Sequence, residues 1–417
     1  MNKMNHYKEI LSAYVGKYAG QMFCEPSKRL QHPYIVPGSN LYSKTLWDWD
    51  SWMTDIALRQ YALQDAELAE KLPKYELGCL KNFADYTTKD GFMPICIERD
   101  NGNFFASPSE EKWPNMHKPV YAQHAVFLQE QGLEISEEIL KAADVFLSAY
   151  EQHFMHDKTG LFFWQDDCAI GVDNDPCTYF RPEKSSGSIL LNSFVYKEML
   201  ALSVLFEKKN NMKKMMYWKE KAEMLKAAIS KHCFDERDGN FYSVDLNLLP
   251  NENITGLHSG APRDWECLVM RFDVWSSILP LWAGIASKDQ ADSVMQRFRD
   301  SRTYKAEYGI RTLSPLEKMY DLSATTNPSN WRGPVWGVSN YFCWRAMLKY
   351  GYEDDAAWLA EATIKLLGQD VEQTGTLHEY YHPDTGKAIM TPDFINWNAL
   401  VLNMIAWLDG KECCFEF

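Results

Sequence analysis

Four short stretches of the chain concentrate side chains able to move protons or hold a polar ligand. WQDDCAIGVDNDP (164–176) carries four carboxylates, Asp166, Asp167, Asp173 and Asp175. Asp173 stands between Gly171 and Pro176, on a loop that runs into a strongly apolar segment. A carboxyl crowded by apolar rings and like charges is held protonated above its ordinary range by desolvation and repulsion, as a general acid must be. The bland readings of this loop are a solvated acidic turn or a calcium site, and the spacing of an EF-hand is absent. TGTLHEYYHPDTG (374–386) sets Glu379 beside His378, Tyr380 and Tyr381, with Gly375, Pro383 and Gly386 fixing turns around it. Two carboxylates on facing loops, one acid and one base, are the requirement for hydrolysing a glycosidic bond.

The other two stretches supply flat rings. LWDWDSW (46–52) interleaves Trp47, Trp49 and Trp52 with Asp48 and Asp50. One Asp could cap the helix that follows, but capping does not explain three Trp. A sugar suits the combination: its apolar face stacks on indole and its hydroxyls donate to carboxylates. NWRGPVWGVSNYF (330–342) places Trp331, Arg332 and Trp336 around Gly333-Pro334, and Pro334 reads as a helix start. There Trp331 and Trp336 would wall a sugar subsite, and Arg332 would hold the base or the ligand. HKPVYAQHA (117–125) adds Lys118 and Gln123, with His117 and His124 read as structural. Trp397 opens the last helix.

Helical periodicity dominates the elements that must position these groups. Segment 188–208 is apolar nearly all round and reads as buried, whereas 211–232 carries a one-sided stripe, Met215, Trp218, Ala222, Leu225 and Ile229. An inner helix is thus followed by an outer one. About a dozen such segments (5–20, 49–71, 74–88, 117–132, 135–155, 188–208, 211–232, 273–285, 288–299, 334–349, 353–368 and 394–409) predict an all-α (α/α)6 toroid, one domain over 1–417. Strand alternation is scarce; 234–246 predicts a short hairpin around Asp238-Gly239. Long non-helical stretches fall at 21–48, 89–116, 157–187, 233–272, 300–333 and 369–393, mostly before inner helices. Loops of that length are usually functional.

The net charge of −14 argues against nucleic acid and anionic membrane as partners. The N-terminus lacks the apolar core of a signal peptide, and no apolar run reads as long enough to span a bilayer. Ten scattered cysteines without metal-ligand spacing fit reduced thiols and a cytoplasmic setting. Neither a phosphate-binding loop nor a dinucleotide fingerprint occurs, so no cofactor and no metal is expected.

WDWDSW, GVDNDP, NWRGPVWGVSNYF and HEYYHPDTG, in that order, resemble motifs of glycoside hydrolase family 63 and the mannosylglycerate hydrolase-like enzymes, relatives of trehalases with (α/α)6 toroids. The resemblance spans roughly residues 40–410, and the Trp-Arg-Gly-Pro-Val-Trp stretch is its most specific part. It implies an inverting α-glycosidase for a small carbohydrate, an α-glucoside or α-mannoside. Asp173 would be the general acid and Glu379 the general base, about 6.5–9.5 Å apart so that a water fits between. It also implies substrate contacts by Trp47, Trp49, Asp50, Trp331, Arg332 and Trp336; Trp52, Lys118, Gln123, Asp175, Tyr380 and Trp397 complete the expected binding set. Asp175 departs from the family pattern, where Ser is frequent, and is expected to raise the pKa of Asp173 or bind a ligand hydroxyl. The eukaryotic processing-glucosidase branch carries an extra β-sandwich for which this chain has no room. Loops 97–116 and 247–265 match nothing in the family, which bears on the aglycone. A glycerate there would need a cation, for which Arg332, Lys118 and Arg181 are the candidates.

Other classes make different demands. A sugar epimerase or isomerase on this toroid would need facing His residues as acid and base. A non-catalytic glycan-binding protein would keep the Trp faces and tolerate loss of either carboxylate. A toroidal lyase of anionic polymers would want a basic groove.

Overall fold

A computed structural model describes residues 3–39, 41–102, 104–249, 263–323 and 329–417. Among them twelve α-helices alternate between two rings. The inner ring is α2 (Asp48–Ala62), α4 (Tyr121–Glu130), α6 (Ile189–Lys208), α8 (Leu279–Ala283), α10 (Gly337–Lys349) and α12 (Val401–Leu408). Each packs on the next, α10 through the 3-10 turn Asn396–Leu400 that leads into α12, and α12 closes the circle on α2. The outer helices are α1 (Lys3–Tyr18), α3 (Ala66–Tyr86), α5 (Glu137–Phe154), α7 (Met212–His232), α9 (Lys288–Arg299) and α11 (Glu353–Thr374). This is the expected (α/α)6 toroid.

Patterning separates the rings. Inner α6 buries sixteen of its twenty residues, whereas outer α7 buries only Trp218, Ala222, Leu225 and Ile229. That 4-3-4 spacing is one helical stripe against the ring. By length and composition α6 is apolar enough to cross a membrane, which corrects the expectation that no run is; 89% of its most apolar window is buried among the other helices. One continuous apolar cluster joins both rings, and a small second one gathers Cys177, Met270, Val274 and Leu313.

Several boundaries differ from the periodicity. The helix expected over 49–71 ends at Ala62, because Asp65 turns its side chain to accept the Leu68 N–H at 3.0 Å and starts α3. α3 then runs through Pro73 rather than stopping there. Pro334 starts no helix: Val335–Trp336 form a strand paired antiparallel with Tyr380–Tyr381, and α10 begins at Gly337. Segments 273–285 and 394–409 each enter through a 3-10 turn, Trp275–Ile278 and Asn396–Leu400, so α8 and α12 are short. The expected hairpin is present as Phe234–Asp235 against Asn240–Phe241. Of the loop at 247–265, residues 250–262 lie outside the described residues.

Each long connection precedes an inner helix, and short strand pairs tie the connections together. Thr45–Trp47 pairs with Cys96–Glu98, and Val335–Trp336 with Tyr380–Tyr381. These pairs close one end of the toroid, over the first turns of the inner helices.

Candidate active site

The connections before α2, α4, α6, α10 and α12 line one cavity of about 550 Å³. Asp173 and Glu379, 206 positions apart in sequence, both lie in its wall, with Trp47, Trp49, Asp50, Lys118, Trp336 and Trp397.

Asp173 sits where backbone and side chains are both constrained. Gly171 has φ +89°, and a Cβ there would lie 2.4 Å from Lys118 Cε and 2.9 Å from Trp49 Cζ2. Asn174, with φ +54°, accepts the Trp331 N–H at 2.9 Å and donates to Asn330 Oδ1 at 3.2 Å. The Asp173 loop is thereby fastened to the Trp-Arg-Gly-Pro motif. Gly171→Ala is expected to destabilise the fold by about 2 kcal/mol through overpacking and backbone strain, read as a lower denaturation midpoint.

Glu379 is 4% exposed. Its backbone N–H bonds Met390 O at 3.1 Å, and the Thr391 hydroxyl donates to its Oε2 at 2.6 Å. Burial pushes its carboxyl up to about 7, and the charges of Asp50 and Asp173 add to the rise. The Thr391 and Tyr42 hydrogen bonds act the other way. Asp50 is likewise pushed up to about 7, first by burial and then by Asp48. Lys118 and the Asn396 side-chain amide, which donates to Asp50, limit the rise. Asn396 is itself fixed by Thr54, whose hydroxyl donates to its Oδ1 at 3.0 Å. Asp167, also in the wall, is pushed up to about 7 by burial and by Asp173, Asp175 and Asp166.

Asp48 and Asp50 do not cap α2, whose N-cap is Trp47 without a side-chain bond. Asp48 instead grips Lys118, whose Nζ lies 3.1 and 3.0 Å from its two carboxylate oxygens and whose N–H donates at 2.9 Å.

The rings form a wall with a backing. Trp336 stacks on Trp331 (4.1 Å, 11°) and on Tyr380 (4.7 Å, 23°), and Trp331 stacks on Trp275 (6.0 Å, 27°). Trp397 stands at 65° to Trp49 and 55° to Trp336. Register sets this order, since Trp336 lies opposite Tyr380, next to Glu379.

Six expected binding residues are not in the cavity wall. Trp331 and Tyr380 are the buried backing of Trp336. Trp52 packs in the core against Phe342. Gln123, fully buried on α4, donates to Pro119 O and Phe194 O. Asp175 turns back to accept the Cys177 N–H at 2.7 Å. Arg332 pairs with Asp321 at 2.9 Å and does not reach Glu379 or the cavity.

In their place the structure brings in Tyr42, Glu98, Phe104, Phe105, Asp167, Ser329 and Phe394. Phe104-Phe105, two aromatics in the polar run NGNFFASPS, were a usable signal. Tyr42, Thr391 and Asn396 sit in ordinary turn sequence and offered none. Among the described residues no histidine lines the cavity, whereas an isomerase on this toroid would need two facing ones. His117 and His124 are buried, the first against Lys118 O and the second against Asp55. Among the described residues no three His, Cys, Asp or Glu side chains converge as a metal site.

A family model for the mannosylglycerate hydrolase MGH1-like glycoside hydrolase domain matches residues 43–397. Mannosylglycerate hydrolase MGH1 of Selaginella moellendorffii is 23% identical over 443 residues, covering 91% of this chain and 83% of that protein. A probable mannosyl-oligosaccharide glucosidase of Schizosaccharomyces pombe is 30% identical over 142 residues; the match covers 31% of this chain and 17% of that protein's length. Among solved structures, the GH63 mannosylglycerate hydrolase from Thermus thermophilus in complex with glucose superposes with a TM-score of 0.65 at 20% identity, over 93% of this chain and 98% of that one. The neutral trehalase Nth1 from Saccharomyces cerevisiae superposes with a TM-score of 0.62 at 14% identity, over 92% and 76%.

Proposed function

The chain belongs to the mannosylglycerate hydrolase MGH1-like glycoside hydrolase family, and on that premise we propose that it hydrolyses a small α-glucoside or α-mannoside with inversion, Asp173 acting as general acid and Glu379 as general base. The observation that carries the assignment is the meeting of these two carboxyls, from different connections, in one cavity walled by Trp49, Trp336 and Trp397.

Asp173, protonated, donates to the glycosidic oxygen as the bond to the anomeric carbon lengthens. Glu379, ionised, draws a proton from a water on the opposite ring face, and that water's oxygen forms the new bond. Atoms balance as one glycoside plus one water giving a free sugar and an alcohol. The Thr391 hydroxyl, bonded to Oε2, holds the base in one rotamer. Positive charge growing on the ring is stabilised by carboxylates fixed before the reaction begins, with Asp50 anchored through Asn396. Trp397 and the edge of the stacked Trp336 indole bound the sugar's site and exclude water. Ten free cysteines support a cytoplasmic enzyme, within a single toroidal domain.

Proton NMR of hydrolysis tests the reading. With α-glucosides and α-mannosides as substrates, the β-anomer of the free sugar is expected first. If the α-anomer leads, Glu379 is not the base of an inverting pair; if no panel member is cleaved, the hydrolase assignment fails.

A further inference from the structure

The residues described so far hold one sugar and break its bond; the other half of the substrate is a separate question. Among the described residues the cavity wall carries five carboxylates, Asp50, Glu98, Asp167, Asp173 and Glu379, and one cation, Lys118. That cation is already used, because both oxygens of buried Asp48 lie on its Nζ. The other candidate cations are engaged too: Arg332 pairs with Asp321, and Arg181 pairs with Asp245. An adjoining compartment of about 270 Å³, which shares Ile95, Phe105 and Cys168 with the cavity, contains Lys112. Lys112 is bound to Asp166 at 3.1 Å and Glu183 at 2.7 Å. Residues 40, 103, 250–262 and 324–328 include no Lys or Arg. An anionic leaving half would thus enter among five carboxyl groups, and Lys118, the one Lys or Arg among the described lining residues, is already held by Asp48.

The mouth offers something else. Phe104 is 65% exposed and Phe105 lies edge-on to it at 5.0 Å. Both rings pack on Trp47, at 6.4 and 6.0 Å, and Trp47 in turn meets Tyr42 edge-on at 5.9 Å. Leu41, on the same rim, is 64% exposed. Large apolar side chains left bare together at the edge of an acidic site mark a contact surface. A pyranose ring has the matching shape, an apolar C–H face with hydroxyls at its edge, and Thr45 and Glu98 line the same wall to receive them.

We infer that the leaving half of the substrate is uncharged, a second sugar ring packed on Phe104 and Phe105, and that a glycerate-type aglycone is disfavoured. The inference rests on the glycosidase reading. It deepens that reading by assigning loop 99–116 the choice of aglycone.

The test compares kcat/KM for α-linked gluco- and manno-disaccharides, the glycosylglycerates, their neutral methyl esters and the α-glycosyl fluorides. The wild type is measured beside the variant carrying Phe104→Ala with Phe105→Ala. Disaccharides and neutral esters are expected to exceed the glycerates at least about tenfold. The double variant is expected to raise KM for disaccharides about tenfold and to cost the fluorides, which place no ring at the mouth, clearly less. Preference for a glycerate over its methyl ester overturns the inference and leaves the hydrolase reading standing. An equal fall on fluorides and disaccharides in the double variant overturns the role of the two Phe. Absence of hydrolysis of every compound by the wild type overturns the glycosidase reading itself.

Discussion

Asp173→Asn is expected to lower kcat/KM on a glycoside with an alkoxide leaving group by about 10²–10⁴-fold, and to spare hydrolysis of the matching α-glycosyl fluoride. Fluoride departs without a proton, so only the alkoxide needs the acid. Asn keeps the size of Asp, and the neighbouring Asn174 bonds that fasten the loop to Trp331 and Asn330 are retained. Loss of activity is then a loss of proton transfer rather than of shape. Measuring both substrates on the same preparation separates the two: an equal fall on glycoside and fluoride would assign Asp173 a positioning role instead.

Glu379→Gln is expected to lose about 10²–10⁴-fold on both substrates, because fluoride displacement still requires a deprotonated water. The wild-type pH profile carries the sign. Burial holds the Glu379 carboxyl up near 7, and a base works only when ionised, so kcat/KM should fall as pH drops below about 7. The Thr391 bond favours the ionised form. Thr391→Val should therefore raise the pKa further and move this acid limb to higher pH. A limb that stays in place in Thr391→Val would mean that another group, such as Asp50, sets it; Asp50 is also held at about 7.

Sequence reading recovered the two rings, since the contrast between an all-apolar segment such as α6 and a one-sided stripe such as α7 is a direct statement about burial. It also brought Asp173 and Glu379 to one face, because loops before inner helices collect at one end of a toroid. What it could not read is side-chain direction on elements apolar in every direction. Trp49 and Trp52 are one helical turn apart, yet Trp49 lines the cavity and Trp52 packs in the core. Gln123 is lost for the same reason: on α4 eight of ten residues are buried. Pro334 misled because its ring suits a helix start, whereas the strand pairing with Tyr380–Tyr381 exists only in three dimensions. Arg332 reads from sequence as a partner of the base or the ligand, because nothing there signals that Asp321, eleven residues earlier, takes it. Tyr42 and Thr391 bond Glu379 across turns with no pattern to reveal them.

The placement of each connection before a different inner helix separates the tasks of the cavity among segments that can change independently. Asp173, the proposed acid, belongs to the connection before α6, Glu379, the proposed base, to that before α12, and the exposed rings Phe104 and Phe105 to that before α4. The Trp336 wall and Glu379 are locked together by backbone pairing and ring stacking, so substitutions there disturb the chemistry. Among the described residues the ring contacts of Phe104 and Phe105 are with each other and with Trp47, at the rim. If Phe104 and Phe105 seat the leaving half, a lineage can trade one leaving group for another by altering a few residues of a single surface loop while the proposed bond-breaking apparatus is inherited intact, and loop 99–116 is then the natural first target for redesigning specificity.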